Sequence, residues 1–298
     1  MKLFVALATV AVGGVASAQL TQPVAFGHAV IVEASSPGLV PSMKFNYINL
    51  YGPDLEYVRT LASAPLLRSF GAIAFSSSGD IFLVEPCDPL CVQIKRYQQS
   101  GSVTDFGAPY NDSIHAMQFV ASGELIVAFS VVFARFDANG GLIQTTALPE
   151  RTLFGFDVDR DQCTVIFSSV HVLVATNICT AGHDVRLPGD FSGVRFLPNG
   201  NILASSRGVV YELDRRGAIV RRFITSYIDS GEVAVDPDEK SFWATSGNRL
   251  FRFDLTTGNV IAGPVWLRTA AYGARSMAIR GEWRAAMHPV SRRRSVTR

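Results

Sequence analysis

Three residues stand out as able to do chemistry together: His115, Glu232 and Arg275. An imidazole and a carboxylate that face each other can do acid–base work. The same groups could instead bind one structural ion or line a wet channel. The other four histidines are His28, His171, His183 and His288, and none forms a His-x-His or Glu-x-His pair. No His-Glu-x-x-His, Gly-x-Ser-x-Gly or phosphate-loop pattern occurs. The four cysteines come as Cys87 and Cys91, then Cys163 and Cys179. No histidine lies near the Cys87-x3-Cys91 pair to complete a four-ligand zinc site, so two local disulfides are expected, as in an exported protein. Three pairings are possible in principle. Sequence proximity favours Cys87–Cys91 and Cys163–Cys179.

A repeat positions these residues. A short apolar strand ends in a large residue and a turn follows. The pattern recurs at Ala72 to Phe75, Ala116 to Phe119, Gly155 to Val158, Gly193 to Phe196, Glu232 to Val235 and Ser276 to Ile279. The closing residues Phe75, Phe119, Val158, Phe196, Val235 and Ile279 are spaced 44, 39, 38, 39 and 44 apart. A period of about 40–50 residues with several strands per unit marks the blades of a propeller. Second and third strands alternate apolar and polar residues, as in Phe242 to Thr245 and Leu250 to Phe253 across the Ser246-Gly247-Asn248 hairpin turn. The third strand ends in a polar turn such as Asp137 to Gly140, Asp214 to Gly217 or Asp254 to Gly258. Asp can cap such a turn and Gly tolerates a positive φ there. A fourth strand follows, as in Leu142 to Thr145.

The final unit stops soon after its first strand, near Trp283. The N-terminal region supplies three strands without a first: His28 to Glu33, Lys44 to Tyr51 and Leu55 to Leu61. Joined in one sheet, the two ends complete a composite blade and leave no open edge. The expected fold is therefore all-β, a six-bladed propeller with five internal blades and one composite blade, over residues 19–284.

These blades resemble known families. Phe196 to Ser205 (FLPNGNILAS) and Ile73 to Pro86 (IAFSSSGDIFLVEP) resemble NHL-type propeller blades. Val235 to Gly263 (VDPDEKSFWATSGNRLFRFDLTTGNVIAG) is similar to secreted bacterial propellers grouped as YVTN, streptogramin-lyase-like and gluconolactonase-like. The stretch from Asp161 to Cys179 resembles a cysteine-bridged hairpin blade of that group, which implies a Cys163–Cys179 bridge. Such a loop adds about 3 kcal/mol by the chain-entropy argument, and Cys87–Cys91 closes a far smaller one. The resemblance covers nearly the whole mature chain and implies architecture more than activity. Gluconolactonase-like relatives hold one metal with carboxylates and Asn in the channel, and streptogramin-lyase-like relatives use His and Glu beside a metal. This chain lacks the corresponding His pairs, so no catalytic residue of those families is carried over.

Within a propeller the start of each first strand lies near the axis. His115, Glu232 and Arg275 are the polar side chains closest to those starts, with Asp112, Arg151 and Asp190 nearby. Gln118, Asp157 and Arg195 sit just before the closing residue in three successive blades, where the other three have Ala74, Ala234 and Ala278. Asp157 and Arg195 are expected to meet across a blade interface as a structural ion pair. Phe45, Tyr47, Tyr51 and Tyr57 cluster in the N-terminal strands, and most such aromatics should lie between blades.

The ends of the chain speak of its compartment. Lys2, the apolar run Leu3 to Val15 and the small residues Ala16-Ser17-Ala18 read as a signal peptide over 1–18, cleaved before Gln19. The run falls short of the roughly 20 residues of a membrane span, and no later stretch is long enough. Residues 19–279 carry 20 basic and 24 acidic side chains, and Arg280, Arg284, Arg292, Arg293, Arg294 and Arg298 make the end basic. Residues 285–298 are expected to be a solvated tail. A net charge of +2 over the whole chain gives no field for nucleic acid. Hydrophobic residues at 48% supply a core and argue against disorder. The expectation is a secreted or periplasmic monomer that binds a protein, peptide or glycan, with no cofactor. The alternative is a metal-dependent lactonase- or lyase-like enzyme holding Ca or Mg in the channel.

Overall fold

The computed structural model describes residues 23–35, 45–65, 71–88, 91–152, 154–180, 185–225, 231–268 and 273–282. The expected signal peptide and basic tail lie outside these residues. Three N-terminal strands come first: β1 (Ala29–Ser35), β2 (Phe45–Tyr51) and β3 (Tyr57–Pro65). Blade 2 holds β4 (Ile73–Phe75), β5 (Ile81–Asp88), β6 (Cys91–Tyr97) and β7 (Val103–Tyr110). Blade 3 holds β8 (Ile114–Phe119), β9 (Leu125–Phe129), β10 (Val132–Phe136) and β11 (Leu142–Ala147). Blade 4 holds β12 (Phe156–Val158), β13 (Thr164–Ser169), β14 (Val172–Asn177) and β15 (Val185–Pro188). Blade 5 holds β16 (Val194–Phe196), β17 (Ile202–Ser206), β18 (Val209–Leu213) and β19 (Ile219–Ile224). Blade 6 holds β20 (Val233–Val235), β21 (Ser241–Ser246), β22 (Arg249–Asp254) and β23 (Val260–Trp266). The last strand, β24 (Ala274–Ile279), pairs with β1 and completes blade 1 in the order β24-β1-β2-β3.

Every sheet is antiparallel, and the chain is a six-bladed all-β propeller. The first strand of each blade is the inner one. These inner strands touch their neighbours around a closed ring, with β24 against both β4 and β20. Closure rests on the β24–β1 register, in which Ala29 faces Ile279 and Ile31 faces Met277. Ladder hydrogen bonds across that seam join the two ends of the chain, so neither terminal strand is an open edge.

The apolar residues form six clusters, one at each blade interface. Between blades 2 and 3, for example, Phe82, Val84 and Phe106 meet Ile114, Phe119 and Leu125. Between blades 5 and 6, Leu203 and Phe223 meet Val233, Phe242 and Phe253. Ring edges point at ring faces across these seams, with Phe82 and Phe119 at 4.6 Å and Phe223 and Phe242 at 4.8 Å. Edge-to-face contacts of this kind add to simple burial. The six residues that close the repeat are all buried. Their spacing is thus the spacing of the interfaces.

The turns repeat as faithfully as the strands. After the inner strand, the fourth turn position is left-handed in blades 2 to 6: Gly79, Gly123, Gln162, Gly200 and Glu239. Gln162 and Glu239 keep the same amide-to-carbonyl bonds as the glycines, to Asp159 and Asp236. The turn between third and fourth strands is closed by Asp. Asp137 Oδ1 accepts the Asn139 and Gly141 amides at 2.8 Å, and Asp214 does the same for Arg216 and Ala218. The sulfurs of Cys163 and Cys179 are bonded, as are those of Cys87 and Cys91, with Cα separations of 5.2 and 5.6 Å. Tyr51 is buried with its hydroxyl on Glu33 at 2.6 Å, while Tyr57 is partly exposed.

Candidate functional site

Strand direction sorts residues between the two ends of the axial channel. Inner strands start at one end, called here the mouth. Because second strands run back antiparallel, the hairpins between second and third strands also lie at the mouth. The opposite end is the base. A cavity of about 820 Å³ follows the axis between them. His115, Glu232 and Arg275 all line it, with His171 and Asp190 at the mouth and Arg195 and Glu282 toward the base. Between these polar groups its walls carry apolar side chains, including Ile114, Met117 and Met277.

At the mouth, His115 on β8 is half-buried. Its Nε2 lies 3.2 Å from the Ser130 Oγ at the tip of the next hairpin. Ser130 in turn donates to Asp112 Oδ1 at 2.9 Å. A serine has one proton, and Asp112 takes it, so Nε2–H must be the donor to Ser130. Nδ1 is then the unprotonated nitrogen. Burial lowers the affinity of His115 for a second proton, Asp112 opposes that and Arg151 adds to it. The ring is therefore a neutral base of fixed tautomer.

Glu232 immediately precedes β20. Burial pushes its carboxyl up to about 7, with Arg195 opposing and Glu282 adding. Arg275, on β24, is exposed and makes no ion pair among the described residues. Across the mouth, Asp190 binds both the His171 Nδ1 and Arg207, the latter at 2.8 Å. The His171 hydrogen bond, ahead of burial that opposes it, holds Asp190 below the usual carboxylate range. His171 and Arg207 sit in the mouth hairpins with left-handed φ of 58° and 46°.

At the base, polar side chains tie one blade to the next. Gln118 Oε1 accepts the Val158 amide at 3.2 Å, and Asp157 Oδ2 accepts the Phe196 amide. Each therefore reaches the closing residue of the following blade. Blade 5 carries Arg195 at this position, and a guanidinium cannot accept. Glu282, just beyond β24, supplies the missing acceptor. Its Oε1 takes the Val235 amide and Arg195 Nε, both at 2.9 Å. Arg195 also donates to the carbonyls of Phe156 at 3.3 Å and Val194 at 2.8 Å. Burial works against the charge on Arg195, but Glu282, Asp157 and Glu232 outweigh it and hold the guanidinium above its ordinary range. Burial likewise raises the Glu282 carboxyl, against Arg195 and the Val235 amide.

The metal-bearing arrangement implied by the lactonase- and lyase-like resemblance needs several donors on one point. Among the described residues no three His, Cys, Asp or Glu side chains converge to hold a metal ion. His115 has one open nitrogen, and Glu282 is engaged by Arg195. The residues present do not fit that group.

No protein-family model matches the chain, and no curated protein matches it. Solved structures do share its fold. A protein of unknown function from Bacteroides caccae is 13% identical with a TM-score of 0.61, covering 86% of this chain and 100% of its own. A chain in the crystal structure of the mitotic checkpoint complex is 14% identical with a TM-score of 0.51, covering 64% of each chain. Both likenesses concern architecture alone.

Sequence reasoning passed over Ser130 and Glu282. Ser130 ends a strand as a hairpin residue and carries no signal of its own. Glu282 stands among arginines near the end of the chain, and its partner Arg195 is 87 residues away.

Proposed function

We propose that this chain is an exported binding module that takes its ligand into the axial channel through the mouth. The carrying observation is the 820 Å³ cavity, whose wall mixes apolar side chains with charged and polar groups such as His115, Glu232 and Arg275. That composition suits recognition of a small ligand or the end of a peptide or glycan. Two disulfides support export. So does the absence, among the described residues, of any helix long and apolar enough to cross a membrane. The likeness of its blades to NHL-type and YVTN-type repeats supports placing the chain among secreted propellers.

The test uses Ser276→Trp, which places a bulky side chain into the channel from β24. Oligosaccharides and short peptides are screened by thermal shift against the native protein and this variant. Compounds that stabilise the native protein and not the plugged one support the reading. Stabilisation rises with ligand concentration over Kd, by about 2.7 kcal/mol at a hundredfold excess. Equal stabilisation of both proteins would place the ligand elsewhere and sink it.

The metal-dependent enzyme reading has one favourable observation: His115 and Glu232 line the same cavity from blades 3 and 6, on opposite sides of the ring. Elemental analysis of natively purified protein decides it. A stoichiometric Ca, Mg or Zn would support that reading and direct mutagenesis to His115 and Glu232. A metal-free protein would leave the binding module.

A further inference from the structure

Glu232 lines the channel without a partner. Among the described residues no side chain or amide reaches its carboxylate with a hydrogen bond or ion pair. It occupies a place where the other blades carry Ala72, Ala116, Gly155, Gly193 and Ser276. Gly193 leaves room for its backbone, and its carboxylate lies beside Gly155. A Cβ on Gly193 would stand 2.9 Å from the Glu232 Cα, and one on Gly155 would stand 3.7 Å from its Oε2. The carboxylate thus extends across the backbones of two preceding blades into the cavity.

Its surroundings are short of positive charge. Arg195 is shared among Glu282, Asp157 and Glu232, three carboxylates for one guanidinium. Glu282 holds Arg195 directly. On the opposite side of the ring, His115 offers Nδ1 as a bare acceptor, its other nitrogen being committed to Ser130. Phe154 and Phe191 add ring surface at the mouth. A carboxylate with no direct hydrogen bond, an excess of carboxylates over the guanidinium beside it and aromatic faces suit a group that only donates and carries positive charge.

We infer that the channel binds a ligand bearing a primary ammonium group, with Glu232 as its ion-pair partner. The inference rests on the channel-binding reading and adds the chemical class of ligand. The ammonium supplies Glu232 with the direct hydrogen-bonded partner that Arg195, held by Glu282, does not give it.

The experiment is calorimetric titration of the native protein with hexylamine and, separately, hexanoate. Hexylamine is expected to bind and hexanoate is not. Glu232→Gln should weaken hexylamine at least tenfold, and Ser276→Trp should abolish its binding. Glu232→Asp, which keeps the charge with a shorter reach, should retain part of the affinity and separates loss of charge from loss of fold. Binding should weaken as pH falls below about 7, because a proton then competes for Glu232. The other titratable groups that line this space or couple to it are Arg195, Asp157, Glu282, His115, His171, Asp190 and Arg275. His115 protonation would act in the same sense, so the pH effect attributed to Glu232 must shrink in Glu232→Gln. Equal hexylamine affinity in native protein and Glu232→Gln, or no hexylamine binding at all, overturns the inference. Hexanoate binding lost in Ser276→Trp would overturn it too, yet would leave the channel-binding reading intact.

Discussion

At the base of the channel Arg195, Glu282, Asp157 and Gln118 are bound to one another or to backbone amides, whereas at the mouth Glu232 and Arg275 have no such partner among the described residues. Both ends belong to the same six inner strands, so the difference lies in side chains rather than in fold. The base is where blades must be tied together and the last strand held in place. Arg195, Glu282 and Asp157 are held there by an ion pair and by backbone amides and carbonyls, the kind of links a stabilising network uses. The mouth leaves a buried carboxyl and a rigid imidazole facing open space. Groups held in that way are unfavourable for folding and are characteristic of sites kept for a ligand. The disulfides divide in the same manner. Cys163–Cys179 joins strand ends near the base over 16 residues, and Cys87–Cys91 spans 4 residues at a mouth hairpin.

The hardest test of this division is Glu282→Ala. It strips Arg195 of its ion-pair partner and the Val235 amide of its acceptor. Leaving one member of a buried pair alone costs about 3–5 kcal/mol. The urea midpoint should fall accordingly with an unchanged slope. Replacing Arg195 and Glu282 together with Met should recover much of the loss, because no orphaned charge remains. A single-variant loss below about 1 kcal/mol would mean that the base pair is only a screened surface contact.

The disulfides come next. Replacing Cys163 and Cys179 by Ser should cost about 3 kcal/mol, and the same change at Cys87 and Cys91 clearly less, on loop length alone. The two double variants, unfolded side by side in urea, give the comparison directly. Equal losses would show that local strand geometry, not loop closure, sets the effect.

Glu232→Gln reverses the sign. The Glu232 carboxyl is raised from 4.5 to about 7 in the fold, so the folded state binds a proton that the unfolded chain releases. Its contribution is present below pH 4.5 and is lost as pH rises through about 7. Native protein should therefore lose stability over that window, and the Gln variant should not. Above pH 7 the variant should be the more stable of the two, by about 1–2 kcal/mol, given roughly 1.4 kcal/mol per unit and screening by channel water. Melting temperatures from pH 4 to 8 provide the check. Parallel curves for the two proteins would show that Glu232 ionises at no cost and that the mouth is not strained.

The propeller was legible because its constraints are local and recur. Each blade must end its inner strand on a residue large enough to fill an interface, and must then turn. Phe75, Phe119 and Phe196 with their Gly-containing turns state this three times over. The composite blade was legible for a related reason: three strands lacked a first and one first strand lacked the rest. Boundaries slipped where a residue other than glycine holds the left-handed turn position. Leu55, read as the start of a strand, is a left-handed turn residue with φ 65°, and β3 begins at Tyr57. Candidate channel residues followed from strand starts, which is geometry the repeat already contains. Pairing across the ring was not legible. Neighbourhood in the repeat sets Arg195 against Asp157, and Asp157 does add to its charge stabilisation, but the guanidinium Nε donates to Glu282, and Asp157 accepts the Phe196 amide. Which of two carboxylates an arginine meets depends on how the last strand leaves the ring, and no spacing in the sequence encodes that.

Arg275→Ala probes the weakest link and the clearest contrast with Arg195. Both are arginines on inner strands that line the same cavity. Arg195 is largely buried and ligated by a carboxylate and two carbonyls, whereas Arg275 is exposed. An exposed side chain without specific contacts changes stability by no more than about 0.5 kcal/mol when truncated. The melting temperature of Arg275→Ala should therefore stay within about 2 °C of the native protein. A larger drop would reveal that Arg275 offsets the surplus of carboxylates through the channel, in which case the charge balance at the mouth is set by the fold and not left for a ligand. A null result, together with the large loss expected at Glu282, would leave the two ends with separate tasks: one holds the ring closed, and the other can be altered without the ring noticing.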